Sequence, residues 1–298
     1  MTAAPHLVPA VIDWYLANRR DLPWRAADRT PWGVLVSEVM LQQTPVVRVL
    51  PAWSAWMARW PTPADLAEAE PGDAVRQWDR LGYPRRALNL HAAAVAMVQR
   101  YGGEIPQDED ELRALPGVGE YTAAAVRAFA FGRRAVVLDT NVRRVLARAL
   151  VGVEHPTPAL TSAERQRALS VLPEADDEAA LWSVAVMELG ALVCTANAPA
   201  CARCPLSAPC AWVRAGRPEY DGPARRVQRF AGTDRQVRGR LMAVLRTSDG
   251  PVARSALEAV WSDAIQRERA LDGLVADGLV ELVGADRFGL PRRPAGAR

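Results

Sequence analysis

Leu115-Pro116-Gly117-Val118-Gly119-Glu120-Tyr121-Thr122-Ala123 lies between two stretches of helical periodicity, and the rest of the chain is read outward from it. Two glycines so close together let the backbone turn sharply and approach a ligand. The N–H groups that open the following helix then face outward, where a phosphate oxygen can bind. Taken alone the stretch also suits an ordinary helix–helix turn, so its surroundings decide. Apolar spacing predicts helices over 7–16, 32–41, 46–59, 63–69, 71–81, 85–100, 109–115, 119–130, 140–149, 162–171 and 178–193, punctuated by Pro, Gly, Asp and Thr. Alternation of the strand type is nearly absent before residue 279. An all-α fold for residues 1–213 follows.

With 298 residues the chain has room for about two domains. Half of it is apolar and 24% charged, enough for a packed core. No apolar run approaches the ~18 residues of a membrane span. The N-terminus lacks the cationic start, apolar stretch and cleavage site of a secretory leader, so a soluble, cytoplasmic chain is expected. Net charge is only +3, but arginine supplies the 37 basic residues. Arginine pairs bidentately with phosphate and suits a nucleic-acid partner, although a GC-rich genome produces the same bias. Residues 214–232 are rich in Gly, Pro and Arg and read as a linker. Beyond it, helices over 234–246, 253–261 and 263–277 and strands over 279–283 and 287–290 resemble a small winged-helix α+β module, residues 233–298.

The only four cysteines form Cys194-x6-Cys201-x2-Cys204-x5-Cys210. Scattered disulfides are excluded by that clustering, and four thiolates in one loop can wrap zinc or an iron–sulfur cluster. Between the hairpin and this loop stands Val136-Val137-Leu138-Asp139-Thr140-Asn141. Asp139 precedes a helix, where capping is the usual role of an aspartate.

Hairpin, aspartate and cysteine loop, in this order, resemble the helix-hairpin-helix/Gly-Pro-Asp superfamily of DNA glycosylases. The cysteine spacing matches the [4Fe–4S] loop of its endonuclease III-like members. Ser37-Glu38-Val39-Met40-Leu41-Gln42-Gln43-Thr44 closely resembles the MutY-type adenine DNA glycosylases, because the endonuclease III branch has glutamine where Glu38 stands. Leu22-Pro23-Trp24-Arg25, Leu81-Gly82-Tyr83 and Asn89-Leu90-His91 fit the same branch, and the resemblance spans residues 13–213. It implies a two-lobed fold, with a six-helix lobe at about 26–137 and a cluster lobe from 1–25 and 138–213, and a monomer acting on double-stranded DNA with A·8-oxoguanine or A·G mispairs.

The resemblance assigns roles residue by residue. Bifunctional members carry a lysine where Tyr121 stands; tyrosine forms no Schiff base, which implies a monofunctional enzyme that leaves an abasic site. Glu38, between Val36 and Met40, is expected to be desolvated and held protonated, able to protonate adenine N7 and then to activate water. Asp139 would stabilise the cationic sugar, as paired carboxylates do in glycosidases; Asn141 would hold Asp139, and Tyr121 would position Asp139 or the water. The adenine must flip out of the duplex. Gln42 and Tyr83 match wedge residues at the opposing base, Trp24 and Arg25 match residues lining the adenine pocket, and Leu115, Pro116, Gly117, Val118 and Gly119 would grip the backbone. Cys194, Cys201, Cys204 and Cys210 would hold the cluster. His91 is read as a packed or capping histidine, and Trp53, Trp56 and Trp60 as core.

Three departures stand out. Thr140 replaces a glycine, Val184 stands where a polar group would face adenine, and residues 214–298 are too short for the Nudix-like domain whose Phe-Ser-His turn reads 8-oxoguanine. The rival readings are a mismatch thymine or uracil glycosylase, which needs no N7 acid, and a catalytically idle DNA-binding or redox-sensing protein, for which intact Glu38 and Asp139 have no purpose.

Overall fold

The structure, a computed structural model, describes residues 7–222 and 230–293. Arg225, Arg226 and Arg229, read from the sequence as possible DNA contacts, lie outside the described residues. The helices are α1 (Leu7–Asn18), α2 (Pro31–Leu41), α3 (Val46–Arg59), α4 (Pro63–Glu68), α5 (Pro71–Trp78), α6 (Arg85–Tyr101), α7 (Glu109–Arg113), α8 (Glu120–Phe131) and α9 (Thr140–Leu146). A π-helical turn, Ala147–Val151, extends α9 and is followed by α10 (Ser162–Ser170), α11 (Asp176–Leu192) and α12 (Ala211–Arg214). Prolines open α2, α4 and α5, where a missing N–H is harmless. Thr62 with Asp65 and Thr161 with Glu164 form reciprocal caps, and left-handed Gly102 and Gly132 end α6 and α8.

Packing divides the chain into two units. The first comprises residues 7–35, Gln107–Arg113 and 118–222; the second comprises Val36–Pro106, Ala114–Gly117 and 230–293. These limits differ from the lobes expected at 26–137 and 138–213: α8 goes with the cysteine-bearing unit, since its alanines share an apolar cluster with Ala135 and Val137 and it packs on α11. The first unit's main core joins α1, α9 and α11 through Val11, Tyr15, Val145, Trp182 and Leu189. In the second, α4 and α5 pack on α6, and Trp56 meets Trp60 and Trp78 edge-on at 4.7 and 5.6 Å. Trp53 is only half-buried. His91 is buried, and its Nε2 lies 2.8 Å from the Ala69 carbonyl that ends α4, the capping role expected of it.

The C-terminal segment also belongs to the second unit. It runs α13 (Asp234–Thr247), β1 (Val252–Ala253), α14 (Arg254–Glu258), α15 (Ala264–Ala276), β2 (Glu281–Val283) and β3 (Arg287–Gly289). Its antiparallel sheet has the order β1-β3-β2, with Phe288 opposite both Val252 and Leu282. The sequence showed β2 and β3 but not β1, because two extended residues after Pro251 carry no periodicity, and α14 stops at Glu258, short of the expected 261. The segment is fastened to α5 and its flanks. Arg76 donates to the carbonyls of Arg246 and Ser248 at 3.0 and 2.9 Å, and the Gly72 N–H donates to the Pro291 carbonyl at 2.8 Å. A Cβ on Gly72 would lie 2.7 Å from that same oxygen, so only glycine permits the approach.

Candidate active site and cysteine loop

Asp139 caps α9. Its Oδ1 accepts the Val142 N–H at 2.6 Å and its Oδ2 accepts from Asn141 Nδ2 at 2.7 Å. Burial pushes the carboxyl above the usual aspartate value; hydrogen bonds from Val142 and Asn141 and the charge of Arg144 oppose this without cancelling it. The capping role and the predicted role therefore fall on one carboxylate, which as an anion has lone pairs left beyond these two bonds. Asn141 is itself held: its Oδ1 accepts from Arg144 Nη2 at 2.8 Å. Arg144 also donates to the Gly190 and Cys194 carbonyls, each at 2.7 Å. A Cβ on Gly190 would come within 2.7 Å of Asn141 Cβ, so α11 must offer a glycine there. Thr140 is exposed at the start of α9 and leaves the cap intact.

Trp24 and Arg25 sit on a 3₁₀ turn, Pro23–Arg25, with Trp24 buried. The segment is anchored by Glu188, a fully buried carboxylate of α11. Arg20 donates to it from Nε and Nη2 at 2.8 and 2.6 Å and from its backbone at 3.0 Å, and Arg25 pairs with it at 3.0 Å. Burial alone would raise the Glu188 carboxyl, yet Arg20 and Arg25 together hold it below the ordinary glutamate value. Val184, one turn earlier on α11, packs against the apolar core. Tyr121, on the first turn of α8, packs against the alanine cluster of that helix.

In the second unit, Glu38 is 5% exposed, flanked on α2 by the buried Val36, Val39 and Met40. Arg86 of α6 clamps the end of this helix. Its Nη1 donates to the carbonyls of Val39, Met40 and Gln42 at 2.8, 3.1 and 2.6 Å, and its Nη2 to Thr44 Oγ1 and the Gly82 carbonyl at 3.1 and 3.0 Å. Desolvation lowers the Arg86 pKa to about 10. The clamp ties together the stretches that carry the two predicted wedge residues, Gln42 and Tyr83. Gln43 and Tyr83 both adopt left-handed backbone, with φ of 55° and 47°.

In the hairpin, Gly117 has φ +79°, and a Cβ there would lie 2.7 Å from Asn89 Cβ. Conformation and space both demand glycine. Gly119 differs: its φ is −93° and a Cβ would meet nothing within 4 Å. Open space at the N-terminus of the 12-residue α8 is what a close-approaching ligand needs. Leu115 and Val118 are buried and anchor the turn.

The cysteines stay unpaired, with Cys210 buried and the other three half-buried. Burial pushes the Cys204 thiol up to about 11, reinforced by Cys194, Cys210 and Cys201, so the other three lie within electrostatic reach of Cys204. Among the described residues, no three His, Cys, Asp or Glu side chains form a cage for a single metal ion. Arg148, 1% exposed on the π-helical turn, donates to Cys194 Sγ at 3.4 Å and to the Thr195 and Ala196 carbonyls at 2.7 and 3.1 Å. Its guanidinium also lies 4.7 Å from the Trp212 ring.

Arg86, Glu188, Arg144 and Arg148 were not singled out in the sequence. Glu188 had a signal, a lone carboxylate in the apolar run of α11, the same pattern that marked Glu38. The three arginines had none among so many.

A family model described as HhH-GPD superfamily base excision DNA repair protein matches residues 36–170. The adenine DNA glycosylase of Mycolicibacterium smegmatis is 52% identical over 281 residues, covering 94% of each chain. The chain belongs to the adenine DNA glycosylase family. The Mycobacterium tuberculosis (strain H37Rv) family member is 49% identical over 282 residues, 94% of this chain and 92% of its own. Such coverage leaves too few residues unmatched for these family members to lack the C-terminal segment. A solved structure titled a thermostable thymine-DNA glycosylase has a TM-score of 0.64 at 26% identity, covering 70% of this chain and 95% of its own. The helical HhH-GPD fold is thus shared with a pyrimidine-directed relative, and individual residues must carry the adenine specificity.

Proposed function

We propose that the chain is a monofunctional adenine DNA glycosylase that excises adenine opposite 8-oxoguanine or guanine and leaves an abasic site. The observation that carries the reading is Glu38, an acid 5% exposed on α2, together with Asp139, which accepts from Val142 and Asn141 at the N-terminus of α9. Hydrogen bonds donated to Asp139 favour its anion, and shutting a carboxyl away from water favours the protonated form.

The reaction runs as follows. Glu38 gives its proton to adenine N7, so adenine departs as a neutral base while the N-glycosidic bond breaks. Positive charge develops at C1′ and O4′ of the deoxyribose, and the Asp139 anion stabilises it. Glu38, now a carboxylate, takes a proton from water as the hydroxyl adds to C1′. Asn141 holds Asp139 in place, and Tyr121 positions Asp139 or the water. Trp24 and Arg25, anchored through Glu188, line the adenine pocket. Gln42 and Tyr83 occupy the space near the opposing base, and residues 115–119 bind the phosphate backbone without reading sequence. Residues 233–298 are read as a winged-helix-like module.

The cysteine loop supplies the four-thiol donor set that a [4Fe–4S] cluster takes, with three of the thiols within electrostatic reach of Cys204. Cys194, Cys201, Cys204 and Cys210 would hold it, and Arg148 would offset the charge of the thiolates. When bound, the cluster supplies structural cross-linking and redox capacity, and no proton.

Single-turnover excision on duplexes placing A opposite 8-oxoguanine, G or T, and T opposite G, followed by alkali, tests the reading. Alkali-dependent cleavage at adenine supports it. Release of thymine with adenine retained would install the pyrimidine alternative, and release of neither would leave a non-catalytic binder.

A further inference from the structure

Tyr83 combines two features that rarely coincide: a bulky side chain in left-handed backbone, φ 47°, and, for a large aromatic residue, 45% exposure. Two guanidinium groups flank that ring. One is the buried Arg86, 5.7 Å from the centroid. The other comes from the C-terminal segment: Arg235, on the first turn of α13, lies closer at 4.8 Å.

The delivery of Arg235 is built rather than incidental. The far end of α13 is held by Arg76 through the Arg246 and Ser248 carbonyls. Asp277, at the end of α15, pairs with Arg238 of α13 and reaches Arg85, two residues beyond Tyr83, at 3.3 Å. The Gly72–Pro291 contact fixes the chain after β3. Arg235 itself is exposed, so its charge is available at the surface where the Tyr83 ring emerges.

We propose that the C-terminal module takes part in choosing the opposing base: Arg235 is a positioning residue that braces the Tyr83 ring for insertion beside that base. This rests on the reading of Tyr83 as the opposing-base residue. A cation held over an aromatic face favours one ring placement and leaves the ring edge free to meet the duplex.

The test uses the full chain with Arg235→Ala, Arg235→Lys, Tyr83→Ala and the Arg235→Ala/Tyr83→Ala double variant. Single-turnover rates on A·8-oxoguanine and A·G duplexes, Kd across a salt series and melting temperature are measured. The expected result is that Arg235→Ala melts like the parent yet loses roughly two- to fivefold of its selectivity between the two duplexes, the size an exposed cation–π contact supplies. Arg235→Lys should restore most of it, and the double variant should be no worse than Tyr83→Ala alone. Multiplying effects would overturn the proposal. So would an equal loss on every duplex with the salt slope reduced by about 1, the mark of a plain phosphate contact. If Tyr83→Ala changes selectivity and Arg235→Ala does not, only the bracing fails; if Tyr83→Ala itself is silent, the assignment of Tyr83 fails and takes the bracing with it.

Discussion

Replacing Arg86 by methionine keeps the aliphatic stem that fills its site and removes the guanidinium. The last four carbonyls of a helix have no partner within it, and the Arg86 guanidinium serves two of them, at Val39 and Met40. Methionine leaves both buried without their donor, at about 1–3 kcal/mol each, or about 2–6 kcal/mol together. At about 2–4 °C per kcal/mol for a chain of this size, melting should fall by roughly 4–24 °C. The clamp also holds the Gln42 and Gly82 carbonyls, so surviving folded protein should show a lower single-turnover rate on A·8-oxoguanine duplexes. Arg86→Lys, with one ammonium that cannot span five acceptors, should fall between the two. Thermal melting followed by single-turnover excision at a temperature where each variant is folded separates stability from chemistry. An Arg86→Met variant that melts within about 2 °C of the parent and keeps its rate would refute the clamp.

Three other expectations follow from the same geometry. Asn141→Leu removes a donor that favours the Asp139 anion, so the carboxyl pKa, already raised by burial, should rise further and move the acid limb of the excision rate to higher pH; an unmoved limb would separate Asn141 from Asp139. In stability, a raised folded-state pKa gives a contribution complete below the unfolded aspartate value and lost as pH rises through the folded one, so this variant should lose more than the parent across that window in pH-dependent melts. Tyr121→Lys places an amine on the first turn of α8 and should yield a borohydride-trappable DNA adduct; no adduct would show that this position does not face C1′. Arg148→Gln removes the cation beside Cys194 and should lower iron content and visible absorbance after purification; unchanged iron would show that the thiolates need no such neighbour.

Features that act through near neighbours in the chain were legible in the sequence. Gly117 and Gly119 announced the turn, Asp139 announced a cap three residues before its bonded N–H, and the cysteine spacing announced one loop. Glu38 was legible because a carboxylate amid Val36, Val39 and Met40 has no solvated face to occupy. What escaped depends on partners far apart in sequence. Arg86 gathers acceptors from α2 and from two loops, Glu188 draws in Arg20 and Arg25, and Arg235 finds Tyr83 across about half of the chain. An arginine among 37 basic residues carries no local mark of such a role. The packing division was hidden for a related reason: the alanines of α8 choose their unit by what they touch, which helical spacing does not reveal.

Glu38→Gln removes the transferable proton with almost no change of shape, and so bears most directly on the chemistry. Adenine release from an A·8-oxoguanine duplex under single turnover should fall by about 10²–10⁴-fold, the reach of a general acid, with duplex Kd within about threefold of the parent. A variant that excises adenine at the parent's rate would show that the proton comes from elsewhere.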